Sequence, residues 1–166
     1  IEYEAEVEIA QSLRDIAQVL LADLGTRVFY TQHGGYDTHA GELDNHARLW
    51  HELSTAVNDF IADLDEHGRG DDAVVMIFSE FGRRIQDNGS GTDHGSGGIS
   101  FVIGNSVKGG FYGEYPSLDP SEQVEGDMRF NNDFRGLYST LLERWMGVDS
   151  QAVLNTNYEQ FDMIRR

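Results

Sequence analysis

The chain has no cysteine, so disulfides, thiolate zinc sites and a cysteine nucleophile are all excluded. Basic residues are scarce: 12 Lys and Arg stand against 29 Asp and Glu, for a formal net charge of −17. Nucleic-acid binding relies on a basic face, so this balance argues against a nucleic-acid partner. It suits a solvated acidic surface, and an acidic patch also concentrates cations. Long hydrophobic runs are missing too. The longest, Ala73–Phe78, is far too short to span a bilayer, so no transmembrane segment is expected. No signal peptide is visible, but the chain opens on Ile1 rather than Met, and a preceding segment is expected.

At 166 residues the length suits a single domain, 1–166, able to bury a substantial core. Ile9, Leu13, Ile16, Val19, Leu20 and Leu24 recur at helical spacing over residues 9–24, and Gly25 follows as a stop. A longer helix is predicted over Glu42–His67, where Leu43, Trp50, Val57 and Leu64 recur every seven residues. Val28–Gln32, Ala73–Ser79 and Ile99–Ile103 read as strands, the second covered on both faces. Phe134–Met146 reads as another amphipathic helix. This alternation predicts an α/β fold, with a mostly parallel sheet flanked by helices in three α/β/α layers. Ten of the 19 glycines fall between Gly82 and Gly113, a shaped loop region of the kind that carries function. Both prolines sit in the acidic 114–133 stretch, which reads as a surface loop.

Familiar catalytic signatures are lacking. No Gly-x-Ser-x-Gly elbow exists, since Gly104-Asn105-Ser106-Val107-Lys108 misses at its last position. No lysine follows a glycine loop in the Walker manner. What stands out instead is imidazole and carboxylate at the ends of two candidate strands: His33, Asp37 and His39, then Glu80, Asp93 and His94. Sheet ends form binding crevices in open α/β folds, and this donor set suits a divalent metal. Asp37 and His39, two apart, can face one site. Glu80, at the end of an apolar strand, needs a cation or donors around it. Arg83 offers a planar fork to an anionic oxygen, or a salt bridge to a neighbouring acid. Asn88 and Thr92 can orient a substrate, although Asn88-Gly89 is more simply a turn. His46, His51 and His67 read as surface residues.

The order Gly34-Gly35-Tyr36-Asp37-Thr38-His39, a long helix, Ser79-Glu80-Phe81-Gly82-Arg83, then Gly91-Thr92-Asp93-His94-Gly95 resembles a widespread, uncharacterised bacterial family. Members are often exported by the twin-arginine route and are placed in the alkaline phosphatase-like superfamily, with sulfatases and cofactor-independent phosphoglycerate mutases. The resemblance runs from about residue 27 to 147, with Val107–Gly113 and Asp133-Phe134-Arg135 also fitting. It implies an alkaline phosphatase-like core, incomplete here, and hydrolysis of small anionic phosphate or sulfate esters in the periplasm. It also implies Asp37, His39, His94 and Asp93 on one metal and Glu80 on a second, with His33 as a further ligand and Arg83 as the catalytic cation. Zinc is the first choice of metal, with manganese or calcium admitted.

Two departures matter. Phe81 stands where the superfamily has a histidine, and the strand carrying the hydroxyl nucleophile is expected upstream of residue 1. Exposed sheet edges in such a piece favour self-association. The competing expectation is a metal-stabilised binding or assembly domain of the cell envelope, without catalysis.

Overall fold

A computed structural model describes residues 1–165, which divide into two compact units: Ile1–Ala73 with Asp87–Asp93, and Val74–Gln86 with 94–165. The first is built on two helices, α1 (Glu8–Leu21) and α2 (Glu42–Glu66). Ile9, Ala10, Leu13 and Ala17 form the buried face of α1, and Leu49, Leu53, Ala56, Val57, Phe60 and Leu64 that of α2. Both sets follow the helical 3–4 spacing that draws an apolar stripe. Leu43, on the same predicted seven-residue repeat, is exposed. At 1.5 Å per residue, the 14-residue α1 is about 21 Å long and cannot cover the roughly 37 Å of α2.

The start of α2 lacks a side-chain cap of its own, because Gly41 stands at the N-cap position with φ 59°. Ser90 takes over from 49 residues away. Its hydroxyl accepts from Gly41 N–H at 2.9 Å and its carbonyl from Glu42 N–H at 3.3 Å. Two of the four orphan donors at the helix start are thereby satisfied.

Val28–Gln32 forms no strand. The segment is irregular, with Val28 and Tyr30 exposed. A β-rich composition yields a strand only where a second backbone lies alongside to pair its N–H and C=O groups, and no ladder partner exists for it among the described residues.

The second unit contains β1 (Val75–Ile77), β4 (Phe101–Ile103), α3 (Phe134–Thr140) and α4 (Ser150–Leu154). β1 pairs antiparallel with β4, Val75 opposite Ile103 and Ile77 opposite Phe101. Between them β2 (Gly82–Asp87) and β3 (Thr92–Gly95) form a two-stranded hairpin, whose tip groups with the first unit. Both sheets are thus small, and the pairing of β1 is antiparallel where a mostly parallel sheet is expected. A parallel sheet needs consecutive strands joined by a crossover helix; with 28–32 unpaired, β1 has only β4 as a neighbour among the described residues. For the same reason β1 is half-buried rather than covered on both faces.

Leu137, Met163 and Ile164 centre the core here, with Met76, Val102, Val107, Tyr112, Leu141, Trp145 and Phe161 packed against them. Asp133 caps α3 by accepting from Arg135 N–H at 2.9 Å, and α3 runs on into a π-helical turn, Leu141–Trp145. No described helix is long and apolar enough to cross a membrane.

Candidate metal centre

The loop after Val28–Gln32 is pinned to α2 by Tyr36. Its hydroxyl donates to the Leu49 carbonyl at 3.3 Å, and its ring lies edge-on to Trp50, with centroids 5.6 Å apart. Gly35, at φ 95°, permits the close pass: a Cβ there would meet Leu49 Cδ2 at 3.3 Å. Burial raises the Tyr36 phenol above its ordinary pKa, with the Glu52 charge adding to it.

His33 anchors the same loop. Its Nδ1 lies 3.1 Å from the Tyr36 hydroxyl and its Nε2 3.2 Å from Glu52 Oε2. Glu52 is also bound by Arg48 at 2.5 Å, and chiefly that hydrogen bond, then the one from His33, holds its carboxyl below the ordinary value. Both ring nitrogens of His33 are therefore engaged away from the metal role assigned to it. His46, expected on the surface, is half-buried: its Nε2 lies 3.0 Å from Thr38 Oγ1 and 3.2 Å from the Tyr36 carbonyl.

These fixings present Asp37 and His39 together. Asp37 Oδ1 lies 3.3 Å from His39 Nε2, and Asp93 Oδ1 lies 2.9 Å from His39 Nδ1. A carboxylate only accepts, so Nδ1 donates to Asp93. A neutral imidazole has one N–H, and this spends it. Nε2 then turns its lone pair towards the Asp37 carboxylate, two ligand atoms with room for a metal ion to bridge them. Two donors on a tetrahedral ion with bonds of about 2.0–2.1 Å stand about 3.3 Å apart. The separation of Asp37 from Nε2 matches that edge, and an oxygen–nitrogen pair suits zinc. Asp37, His39 and Asp93 are about half exposed, at 67, 50 and 57 %.

Asp93 is held in turn. Asn88 Nδ2 donates to Asp93 Oδ1 at 3.2 Å and to the His39 carbonyl at 3.1 Å. Asn88 also makes the expected turn, its N–H donating to the Gly91 carbonyl. Thr92 does not face outward as a substrate residue. Its N–H donates to Glu42 Oε2 at 2.6 Å and its hydroxyl to the same oxygen at 3.0 Å. Glu42 and Ser90 are the site-building residues that sequence reasoning missed. A first-turn acid and a turn serine are too common to be singled out without knowing what they touch.

The other sequence candidates lie in the second unit. His94, in β3, stacks on Phe81 with centroids 4.0 Å apart and rings 13° from parallel. Arg83, in β2, holds its guanidinium 5.3 Å from the centre of the Phe81 ring, a cation–π arrangement. Glu80 is exposed in the turn between β1 and β2.

No curated protein and no solved structure matches the chain. A family described as "Protein of unknown function (DUF1501)" matches residues 4–161, nearly the whole length. By that match the chain belongs to the DUF1501 family.

Proposed function

We propose that the protein is a divalent-metal hydrolase of small phosphate or sulfate esters, with Asp37 and His39 as ligands of one metal. The observation that carries this reading is the pair of carboxylates on the two nitrogens of His39, with Asp37 at 3.3 Å from Nε2. Zinc fits the oxygen–nitrogen donor pair best, and manganese or calcium would enlist more carboxylate oxygens. A bound ion of this kind polarises an ester oxygen and stabilises the negative charge that forms on it.

The chain's own groups have separate tasks. Asp37 and His39 hold the ion, and Tyr36 and His33 fix the loop that carries them. None of these is the nucleophile, so the attacking oxygen comes from a hydroxyl or a water brought to the site. His94 is the proposed further ligand, while the roles of Glu80 on a second ion and Arg83 as the cation for the ester anion rest on the sequence alone. So do the alkaline phosphatase-like α/β/α core and a periplasmic location. The net charge of −17 supports a small substrate in preference to a polyanion.

One observation favours a second reading, a metal-stabilised binding or assembly domain of the cell envelope. Asp37, His39 and Asp93 are about half exposed, whereas catalytic sites gain strength by excluding water. Zinc-loaded full-length protein incubated with p-nitrophenyl phosphate and p-nitrophenyl sulfate separates the two. Turnover abolished in His39→Ala supports the hydrolase. Bound zinc that raises the melting temperature, with no turnover of either ester, supports the second reading.

A further inference from the structure

We infer that Asp93 is a positioning residue: it holds His39 in the tautomer and orientation that present Nε2 to the metal, and does not itself ligate the ion. This rests on the metal reading of Asp37 and His39 and goes one shell beyond it. The His39 Nδ1–Asp93 Oδ1 distance of 2.9 Å is that of a charge-assisted hydrogen bond, shorter than the ligand–ligand edge of a shared tetrahedral ion, about 3.3 Å. Asp93 Oδ1 also accepts from Asn88 Nδ2 at 3.2 Å. Those two donors occupy both lone pairs of the oxygen, so to bind a metal it would have to give up one of them. A metal-bound histidine characteristically donates its second ring N–H to a carboxylate, which fixes the ring and raises its basicity.

The backbone is arranged to keep Asp93 there. Thr92, the residue before it, is clamped by Glu42 through both its N–H and its hydroxyl. Ser90 is tied to the start of α2 by two hydrogen bonds. Asn88 Nδ2 reaches the His39 carbonyl as well as the Asp93 carboxylate. Asp93, 54 residues beyond His39, is thus fixed against it by contacts of the residues that precede it, Thr92 and Ser90 on the start of α2 and Asn88 on His39 itself. A carboxylate needed only for its charge would not require this support.

The test uses the full chain, stripped of metal by a chelator and labelled with 15N at histidine. Zinc binding is titrated by calorimetry, and the ring nitrogens are read by long-range proton–nitrogen NMR. Wild type is expected to take up zinc with His39 bound through Nε2 and protonated at Nδ1. Asp93→Ala should keep the same stoichiometry, bind about 10- to 100-fold more weakly, and lose the fixed tautomer of His39 in the metal-free state. Asp93→Asn, which keeps a carbonyl acceptor for Nδ1–H, should recover part of both. With cadmium as probe, the 113Cd shift should move in Asp37→Ala, which removes an oxygen ligand, and stay put in Asp93→Ala.

Three results would overturn the assignment: unchanged zinc affinity in Asp93→Ala, metal on Nδ1, or a 113Cd shift that moves in Asp93→Ala as it does in Asp37→Ala. Zinc-free wild-type protein would instead overturn the metal reading itself. Circular dichroism of α1 and α2 checks that each variant is folded, and Asp93→Asn, close in shape to the native residue, serves if Asp93→Ala is not.

Discussion

Replacing Glu42 by alanine tests how the candidate centre is built. The Glu42 side chain is only 17 % exposed and accepts Thr92 N–H at 2.6 Å and the Thr92 hydroxyl at 3.0 Å. Hydrogen bonds to a charged group contribute about 1.5–3 kcal/mol each, and a first-turn carboxylate adds about 0.3–1 kcal/mol through the helix dipole. Two bonds sharing one partly exposed carboxylate do not add in full. The expected loss is therefore about 2–4 kcal/mol of unfolding free energy. Glu42→Gln keeps a neutral acceptor and should lose about half as much. Urea unfolding followed by helical circular dichroism reads the stability, and amide hydrogen exchange at Thr92 reads the clamp locally. Zinc affinity should fall in the same variant, because Thr92 carries Asp93. A loss below about 0.5 kcal/mol, or unchanged exchange at Thr92, would refute the reasoning.

Gly91→Ala attacks the same clamp from the other side. A Cβ there would meet Glu42 Oε2 at 2.7 Å and Glu42 Cβ at 2.9 Å, so a cost of about 1–3 kcal/mol is expected in the same urea assay. His33→Ala should loosen the 33–39 loop by about 1–2 kcal/mol while zinc stoichiometry, by calorimetry, stays as in wild type. A lost equivalent of zinc would restore His33 as a ligand. Glu52, Asp133 and Glu143 have carboxyls held below their ordinary values by, in turn, Arg48, Arg135 and Ser150. Depressed carboxyls stabilise the fold above their unfolded-state values and stop doing so as pH falls through the folded ones. Urea midpoints should thus hold from pH 7 to 5 and decline below about pH 4. A midpoint that is flat down to pH 3 would contradict this.

How much of this was legible from residues alone follows from how local each signal is. α2 was readable nearly to the residue, because a 25-residue apolar stripe repeats within the element itself. α1 and α3 were readable for the same reason. Two of the three predicted strands formed, β1 within Ala73–Ser79 and β4 within Ile99–Ile103, but their pairing was not readable because it depends on a partner elsewhere in the chain: Val28–Gln32 has β-rich composition but no ladder among the described residues, and β1 found β4 in antiparallel register. Asp37 and His39 were legible as a pair from their spacing. Asp93 was legible as a candidate but not in its role, since only its contact with Nδ1 separates an orienting carboxylate from a ligand. His33 was a further candidate ligand in sequence, and Tyr36 and Glu52 are what turn it away from that role. Glu42 and Ser90 act on residues about 50 positions away, a distance over which no pattern points from one to the other.

Zinc K-edge X-ray absorption on the reconstituted protein and its His39→Ala variant tests the metal assignment most directly. The expected wild-type spectrum has nitrogen and oxygen neighbours at about 2.0–2.2 Å with imidazole scattering, and part of that scattering should vanish in His39→Ala. A zinc shell identical in the two proteins, or zinc that does not stay bound to wild type, would contradict a metal held by Asp37 and His39.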